Sequence, residues 1–157
     1  MSTEIRRAGV ADAETVLTML RELADYQDQL AYVGASVEDW QGFLGREDVI
    51  VLIAEVDGAA AGYVSSLRRS YLWVGGDQLA LDDLYVREQF RDAGLGRLLM
   101  LELARCALPD RLTISWGLRL ENEAGYRFYE RLGAKLTTKT VASWSPEAYA
   151  DQLNLSM

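Results

Sequence analysis

Residues 79–86 form an apolar, strand-like run and residues 95–107 a helical one, and between them stands Arg91-Asp92-Ala93-Gly94-Leu95-Gly96. A strand that feeds a glycine-bearing turn and then a helix presents unpaired backbone N–H groups and the positive end of a helix dipole to an anion. Glycine has no Cβ, so the backbone can approach a phosphate closely or take positive φ, and Arg91 adds a fixed charge. Such a turn fits a pyrophosphate. The spacing alone is equally that of an ordinary strand-to-helix turn. Neither GxxxxGK[ST] nor a full GxGxxG is present, which disfavours a P-loop nucleotidase and a Rossmann dehydrogenase.

The rest of the chain can be read around that unit. Residues 4–8 are a short strand candidate, followed by Asp12 as the N-cap of a helix with the apolar stripe Val16, Leu17, Leu20, Leu23 and Ala24. Ser36-Val37-Glu38-Asp39 resembles a capping box and opens a second short helix with Trp40, Phe43 and Leu44 inward. The apolar run at 49–56 stops at Asp57-Gly58, a hairpin turn, and residues 61–68 return antiparallel. Gly75-Gly76-Asp77 is another turn, and Pro109-Asp110 ends the helix at 95–107. Strand 112–118, helix 123–132 closed by Gly133, strand 135–144 and a small helix opened by Ser145-Pro146-Glu147 complete the order. This order predicts an α/β (α+β) fold: a mixed sheet with helices on both faces.

At 157 residues and half apolar, the chain is expected to form one domain over residues 1–157. No run is long and apolar enough for a membrane span, and Met1-Ser2-Thr3-Glu4 lacks a signal-peptide pattern, so a cytoplasmic protein with no membrane partner is expected. Cys106 is the single cysteine, which rules out an intrachain disulfide and a cysteine-built metal site, and is expected to be a small buried helix residue. Histidine is absent, which removes the commonest general base and metal ligand, so proton transfer falls to carboxylates, tyrosine or water and no metal is expected. A net charge of −8 argues against nucleic acid as a partner. It suits a cationic acceptor, and it equally suits solubility alone.

Two blocks carry a family resemblance. Gln89-Phe90-Arg91-Asp92-Ala93-Gly94-Leu95-Gly96 resembles motif A of the GNAT superfamily of acyl-CoA-dependent N-acetyltransferases, with its [Q/R]-x-x-G-x-[G/A] core. Asn122-Glu123-Ala124-Gly125-Tyr126-Arg127-Phe128-Tyr129, followed by Gly133-Ala134, resembles motif B. Leu20-Arg21-Glu22-Leu23-Ala24-Asp25-Tyr26, Tyr71-x-Trp73-x-Gly75 and Leu81-Asp82-Asp83-Leu84-Tyr85-Val86 are similar, more narrowly, to the spermidine/spermine (diamine) and thialysine acetyltransferase branch. That branch usually carries Glu at the position of Asp82.

The resemblance implies a GNAT-like, mainly antiparallel sheet with a splay between two central strands, and acetyl-CoA as cosubstrate. The amides of Arg91, Asp92, Ala93, Gly94, Leu95, Gly96 and Arg97 would receive the pyrophosphate. The pantetheine arm would add to the strand edge at Leu84, Tyr85 and Val86 as an extra strand does. Asn122, Glu123, Ala124 and Gly125 would lie on the cofactor's other side. Tyr129 would be the acid that protonates the departing thiolate, since a phenol is protonated at neutral pH; the residues alone also allow it to be core packing beside Phe128. Family position favours Asp82 as the carboxylate that meets the acceptor. A regular strand turns Asp82 and Asp83 to opposite faces, and a β-bulge there changes which faces in.

Acceptor contacts are expected from the insert between Asp25 and Asp48, where six acidic residues (Asp25, Asp28, Glu38, Asp39, Glu47, Asp48) face one basic residue, Arg46. Tyr26 and Gln27 match substrate-contacting positions of the family. The reading is therefore acetyl transfer to a primary amine, with a polyamine or lysine analogue as acceptor and a homodimer implied by the branch. Peptide or protein N-acetylation, and a non-catalytic acyl-CoA-binding module, are the alternatives.

Overall fold

Asp57 and Gly58 both adopt left-handed backbone, with φ of 51° and 83°. Two successive positive φ values give the two-residue turn whose twist suits a hairpin, and it joins Val49–Val56 (β2) to Ala59–Tyr71 (β3). In the computed structural model, which describes residues 1–156, a five-stranded sheet is built on this hairpin. Thr3–Arg7 (β1) pairs antiparallel with β2, and Gly76–Val86 (β4) antiparallel with β3. Ile114–Ser115 (β5) joins β4 in parallel, giving the order β1-β2-β3-β4-β5. The mixed, mainly antiparallel sheet agrees with the sequence reading.

β2 is apolar on both faces because both are covered. Val51 and Ile53 pack with Val16, Leu17 and Met19 of Ala13–Tyr26 (α1) and with Trp40 and Leu44 of Val37–Leu44 (α2). The alternate residues Leu52 and Ala54 are buried on the opposite face, where Leu95–Ala107 (α3) packs on β2, β3 and β4. The helix α3 contributes the fully buried Leu99 and Leu103, each worth about 1.5–3 kcal/mol of burial.

Local chemistry explains the ends of these helices. Ser36 Oγ accepts from the Asp39 amide at 3.0 Å and Asp39 Oδ2 from the Ser36 amide at 2.9 Å, a reciprocal box with Asp as its second member. Asp12 precedes α1, as expected, but its carboxylate accepts from the Gly9 amide and from Arg6 instead of capping α1. Arg6 also reaches Glu55, so one guanidinium ties β1, β2 and the turn before α1.

Contacts divide the chain into two compact units, Met1–Gly117 and the segment from Leu118 onward. In the second unit, Glu123–Arg131 (α4) ends in a Schellman arrangement. Gly133, with φ of 90°, donates to Glu130 O at 2.9 Å and Ala134 to Tyr129 O at 3.1 Å. Pro146–Gln152 (α5) starts at Ser145, whose Oγ accepts from the Ala148 amide.

Several expectations change. The strand foreseen at 112–118 shrinks to Ile114–Ser115, because its register with β4 holds only for Leu79/Ile114 and Ala80/Ser115. The strand foreseen at 135–144 does not form: strand propensity is realised only against a neighbour, and residues 137–144 are all exposed with no ladder partner among the described residues. Cys106 is exposed, since the buried positions Leu99, Leu103 and Ala107 set the inward face of α3 and Cys106 falls outside it. Phe43 is half-exposed, resting edge-on against Trp40.

Candidate active site

The turn between β4 and α3 is built as an open cradle. Asp92 and Gly94 have φ of 64° and 78°, and a Cβ added to Gly94 would meet nothing within 4 Å. Gly94 is the N-cap of α3 and has no side chain with which to cap it. By contrast, Ser36, Asn122 and Ser145 cap α2, α4 and α5. The first helical bond is Leu98 N–H to Gly94 O at 3.1 Å, so the amides of Leu95, Gly96 and Arg97 have no carbonyl within the helix. Arg91 folds back over the turn, donating from Nε to Val86 O at 3.0 Å and resting its guanidinium 5.4 Å from the Tyr26 ring centre. This donor set, unscreened by a side chain and flanked by arginine, fits a pyrophosphate.

The strand leading into the cradle has an edge with no ladder partner among the described residues. Beyond Ala80 and Ser115 the β4/β5 ladder stops, while β4 continues to Val86. Arg87 donates its amide to Ala61 O, so by alternation Leu84 and Val86 turn their amide groups away from β3 toward that edge. Tyr85 turns its side chain toward α1 instead, where its hydroxyl meets Glu22 at 3.1 Å. Glu22 also takes two bonds from Arg87, at 3.0 and 2.9 Å, which pins α1 to the end of β4.

A cavity of about 160 Å³ opens beside the same strand, lined by Leu20, Leu23, Ala24 and Gln27 of α1, by Gln29, Tyr32 and Val33, and by Asp83 of β4. Register explains which acid enters. Ser65 pairs with Asp83 and Ser66 with Leu81, so Asp82 is the extra residue of a β-bulge. Asp83 therefore shares a sheet face with Ser65, Tyr63 and Tyr85, the α1 face. Burial pushes its carboxyl above the ordinary range, the Tyr63 hydroxyl at 3.0 Å pulls it back, and the neighbouring charge of Asp82 raises it further. Asp82 is exposed, and partial desolvation raises its carboxyl as well.

Of the residues singled out from sequence, the first unit thus brings Gln27 to the cavity with Asp83, and Leu84 through Arg97 into one edge-and-cradle path. Tyr26 is largely exposed beneath Arg91. In the second unit, Asn122, Glu123, Ala124, Gly125 and Tyr129 share one short helix and its cap. Asn122 Oδ1 accepts from the Gly125 amide at 2.9 Å. A Cβ at Gly125 would lie 2.6 Å from Asn122 Nδ2 and 2.7 Å from Leu118 Cδ1, so the Asn-x-x-Gly spacing is what lets this cap close. Tyr129 lies 5.1 Å from the Phe128 ring, edge-on, and burial raises its phenol above the ordinary value.

Residues 15–134 match the acetyltransferase (GNAT) family, a span that includes the cradle, the free edge, the cavity and α4. The chain belongs to this family. Among relatives of this GNAT acetyltransferase, a thialysine N-epsilon-acetyltransferase of Caenorhabditis elegans is 28% identical over 129 residues, covering 82% of this chain and 80% of its own. One from Mus musculus is 29% identical over 155 residues, covering 88% of each. The solved aminoglycoside N-acetyltransferase AAC(6')-Iy in complex with CoA shares the fold, with a TM-score of 0.76 at 18% identity over 92% of this chain and 95% of that one.

Three parts of this GNAT site escaped the sequence reading. Leu20 and Leu23 read as plain core stripe, Tyr63 as a strand residue, and Glu22 and Arg87 have no role of their own in it. Packing of α1 on the sheet and pairing across strands, which no local pattern reveals, give each its place.

Proposed function

We propose that the chain transfers an acetyl group from acetyl-CoA directly to a primary amine of a small cation, of the polyamine or lysine-analogue class. The observation that carries this reading is a carboxylate-bearing cavity of about 160 Å³ on the strand whose open edge runs into the cradle. A cavity of that size suits a slender ammonium chain more than a folded peptide, and Asp83 with Gln27 supplies an acceptor-only anion and an amide to hold it. Relatives named as thialysine acetyltransferases support the same class.

When bound, acetyl-CoA supplies the activated acetyl thioester. The amides of Leu95, Gly96 and Arg97, with Arg91, would hold its pyrophosphate, and Leu84 and Val86 would hydrogen-bond its arm and fix the depth of the reacting carbon. Asp83 holds the acceptor's ammonium, and Asp82, directly or through water, takes the proton that frees the amine lone pair. The amine nitrogen then bonds the acetyl carbon as the carbon–sulfur bond breaks, Tyr129 gives its phenolic proton to the leaving sulfur, and the second proton shed by the new amide nitrogen returns through solvent to the Tyr129 phenolate. Burial supports that role, because a phenol held above its ordinary value stays protonated at neutral pH. Asn122 through Gly125 would border the cosubstrate.

The same reading takes the chain as one acyltransferase domain, working in the cytoplasm as a homodimer without a metal. A composition with no histidine and one cysteine supports the metal-free chemistry, and the diamine-branch resemblance supports the dimer. The test is a free-thiol assay with acetyl-CoA against polyamines, thialysine, lysine, aminoglycosides and peptides. Turnover with polyamines or thialysine is expected; turnover with peptides alone, or none with any amine, overturns the reading.

A further inference from the structure

Asp83 is gripped twice by β3. Its amide donates to Ser65 Oγ at 3.1 Å, and its Oδ2 accepts from the Tyr63 hydroxyl at 3.0 Å. Both partners are buried, Tyr63 completely. A buried tyrosine hydroxyl that spends its proton on one carboxylate oxygen is an unusual use of core space, since a phenylalanine would fill the same volume without needing a polar partner. Asp83 Oδ1 makes no hydrogen bond among the described residues, and the side chain borders the cavity.

The bulge makes the grip possible. Asp82 is the unpaired residue, and the register returns at Asp83, which places it opposite Ser65 and two pairs from Tyr63/Tyr85, the next pair on the same face. The two acids are thereby made unequal: one is held by a donor, and the other is not. Adjacent carboxylates that share a site resist being ionised together, so a donor on one of them settles which carries the charge.

We propose that Tyr63 is a positioning residue: by holding Oδ2 it keeps Asp83 the fixed anion that receives the acceptor's ammonium on Oδ1, and leaves Asp82 to handle the proton. This rests on the acceptor reading of the cavity. The groups that face Asp83 are few. Tyr63 comes from β3 and Asp82 from its own strand; Tyr32 borders the same cavity, and α1 lines it with Leu20, Leu23, Ala24 and Gln27, all uncharged. Glu22, the α1 charge that reaches this face, keeps its bonds from Tyr85 and Arg87 when the Tyr63 hydroxyl is removed, so it does not account for a change in the ionisation of Asp83. The donor favours the ionised carboxylate, so its loss moves the carboxyl upward.

Tyr63→Phe is the test, because it keeps the ring and its contact with Tyr85, 6.3 Å between centroids, and removes only the hydroxyl. The expected result is an amine KM raised about tenfold, equivalent to ~1.4 kcal/mol, with the acetyl-CoA KM unchanged. The acid limb of kcat/KM for the amine should move to higher pH. Ser65→Ala, which loosens the same residue through its backbone, should move both parameters in the same direction. An unchanged amine KM and limb, an equal rise in both KM values, or a fall in kcat alone would each overturn the proposal. Carbon-13 NMR of aspartate carboxyl groups separates this from failure of the function itself. Even in an enzyme that acetylates no amine tested, Tyr63→Phe should raise the Asp83 titration midpoint, and an unmoved midpoint refutes the grip.

Discussion

Replacing Gly62 by alanine should disturb the acyl-CoA path without touching it. A Cβ at Gly62 would stand 2.5 Å from Tyr85 O and 3.1 Å from Val86 Cα, nearly an ångström inside ordinary contact, and both are backbone atoms that no side-chain rotation can move aside. Gly62 pairs with Val86, so relief requires β3 and β4 to part at the residues whose other edge is free. Overpacking of this kind costs about 1–3 kcal/mol, which for a chain of this size lowers the melting temperature by roughly 2–12 °C. Displacing the Val86 edge enough to lose one hydrogen bond worth about 1–1.5 kcal/mol should weaken acetyl-CoA binding about tenfold. Thermal denaturation with and without CoA, and calorimetric titration, read the two effects separately. Gly42 serves as the control, since it lies within α2 with nothing within 4 Å of its Cβ position, and alanine there should stabilise by up to about 1 kcal/mol. If Gly62→Ala melts and binds CoA as the parent does, the geometry of the β4 edge is not set by this close approach.

Gly94→Glu should abolish CoA-dependent thermal stabilisation, by putting bulk, negative charge and a non-glycine residue at φ of 78° into the cradle; retained stabilisation would refute the cradle. Tyr129→Phe should lower kcat about 100-fold while CoA affinity stays near the parent's, and unchanged turnover removes the acid assignment. Asp82→Asn should lower kcat yet raise thermal stability at neutral pH. Partial desolvation holds the Asp82 carboxyl above its unfolded value, so the folded chain binds its proton more tightly than the unfolded chain. Ionising it therefore costs stability as pH rises from the ordinary Asp range through the folded value. The variant's advantage should be full at about pH 7.5 and fade toward about pH 4; an advantage independent of pH would show that charge desolvation is not its source.

What the sequence made legible was local. The Ser36/Asp39 box, the Asp57-Gly58 turn and the bounds of α3 depend on residues within a few positions of one another, and each stands where it was read. The Asn122 to Ala134 block likewise declares a capped helix with a glycine stop at Gly133. Residues 135–144 look extended because threonine, valine and tryptophan favour strands, but that preference needs a neighbouring strand and none pairs with them among the described residues. The two acids at 82 and 83 could be seen, yet their division of surroundings depends on a register shift opposite Ser65 and Ser66. Glu22 and Arg87, 65 residues apart, meet only because α1 lies across the end of β4.

The open side of β4 has a cost beyond catalysis. A strand with unused amides is a template onto which a second chain can add, and proteins commonly discourage such sticking with charge. Here Asp82 and Asp83 stand at one end of the unpaired stretch and Arg87 and Glu88 at the other. On the proposed reading, the acids that would serve the amine should also discourage a second strand from adding there whenever the thioester is scarce. A chain stripped of both would depend on its own substrate to stay dispersed.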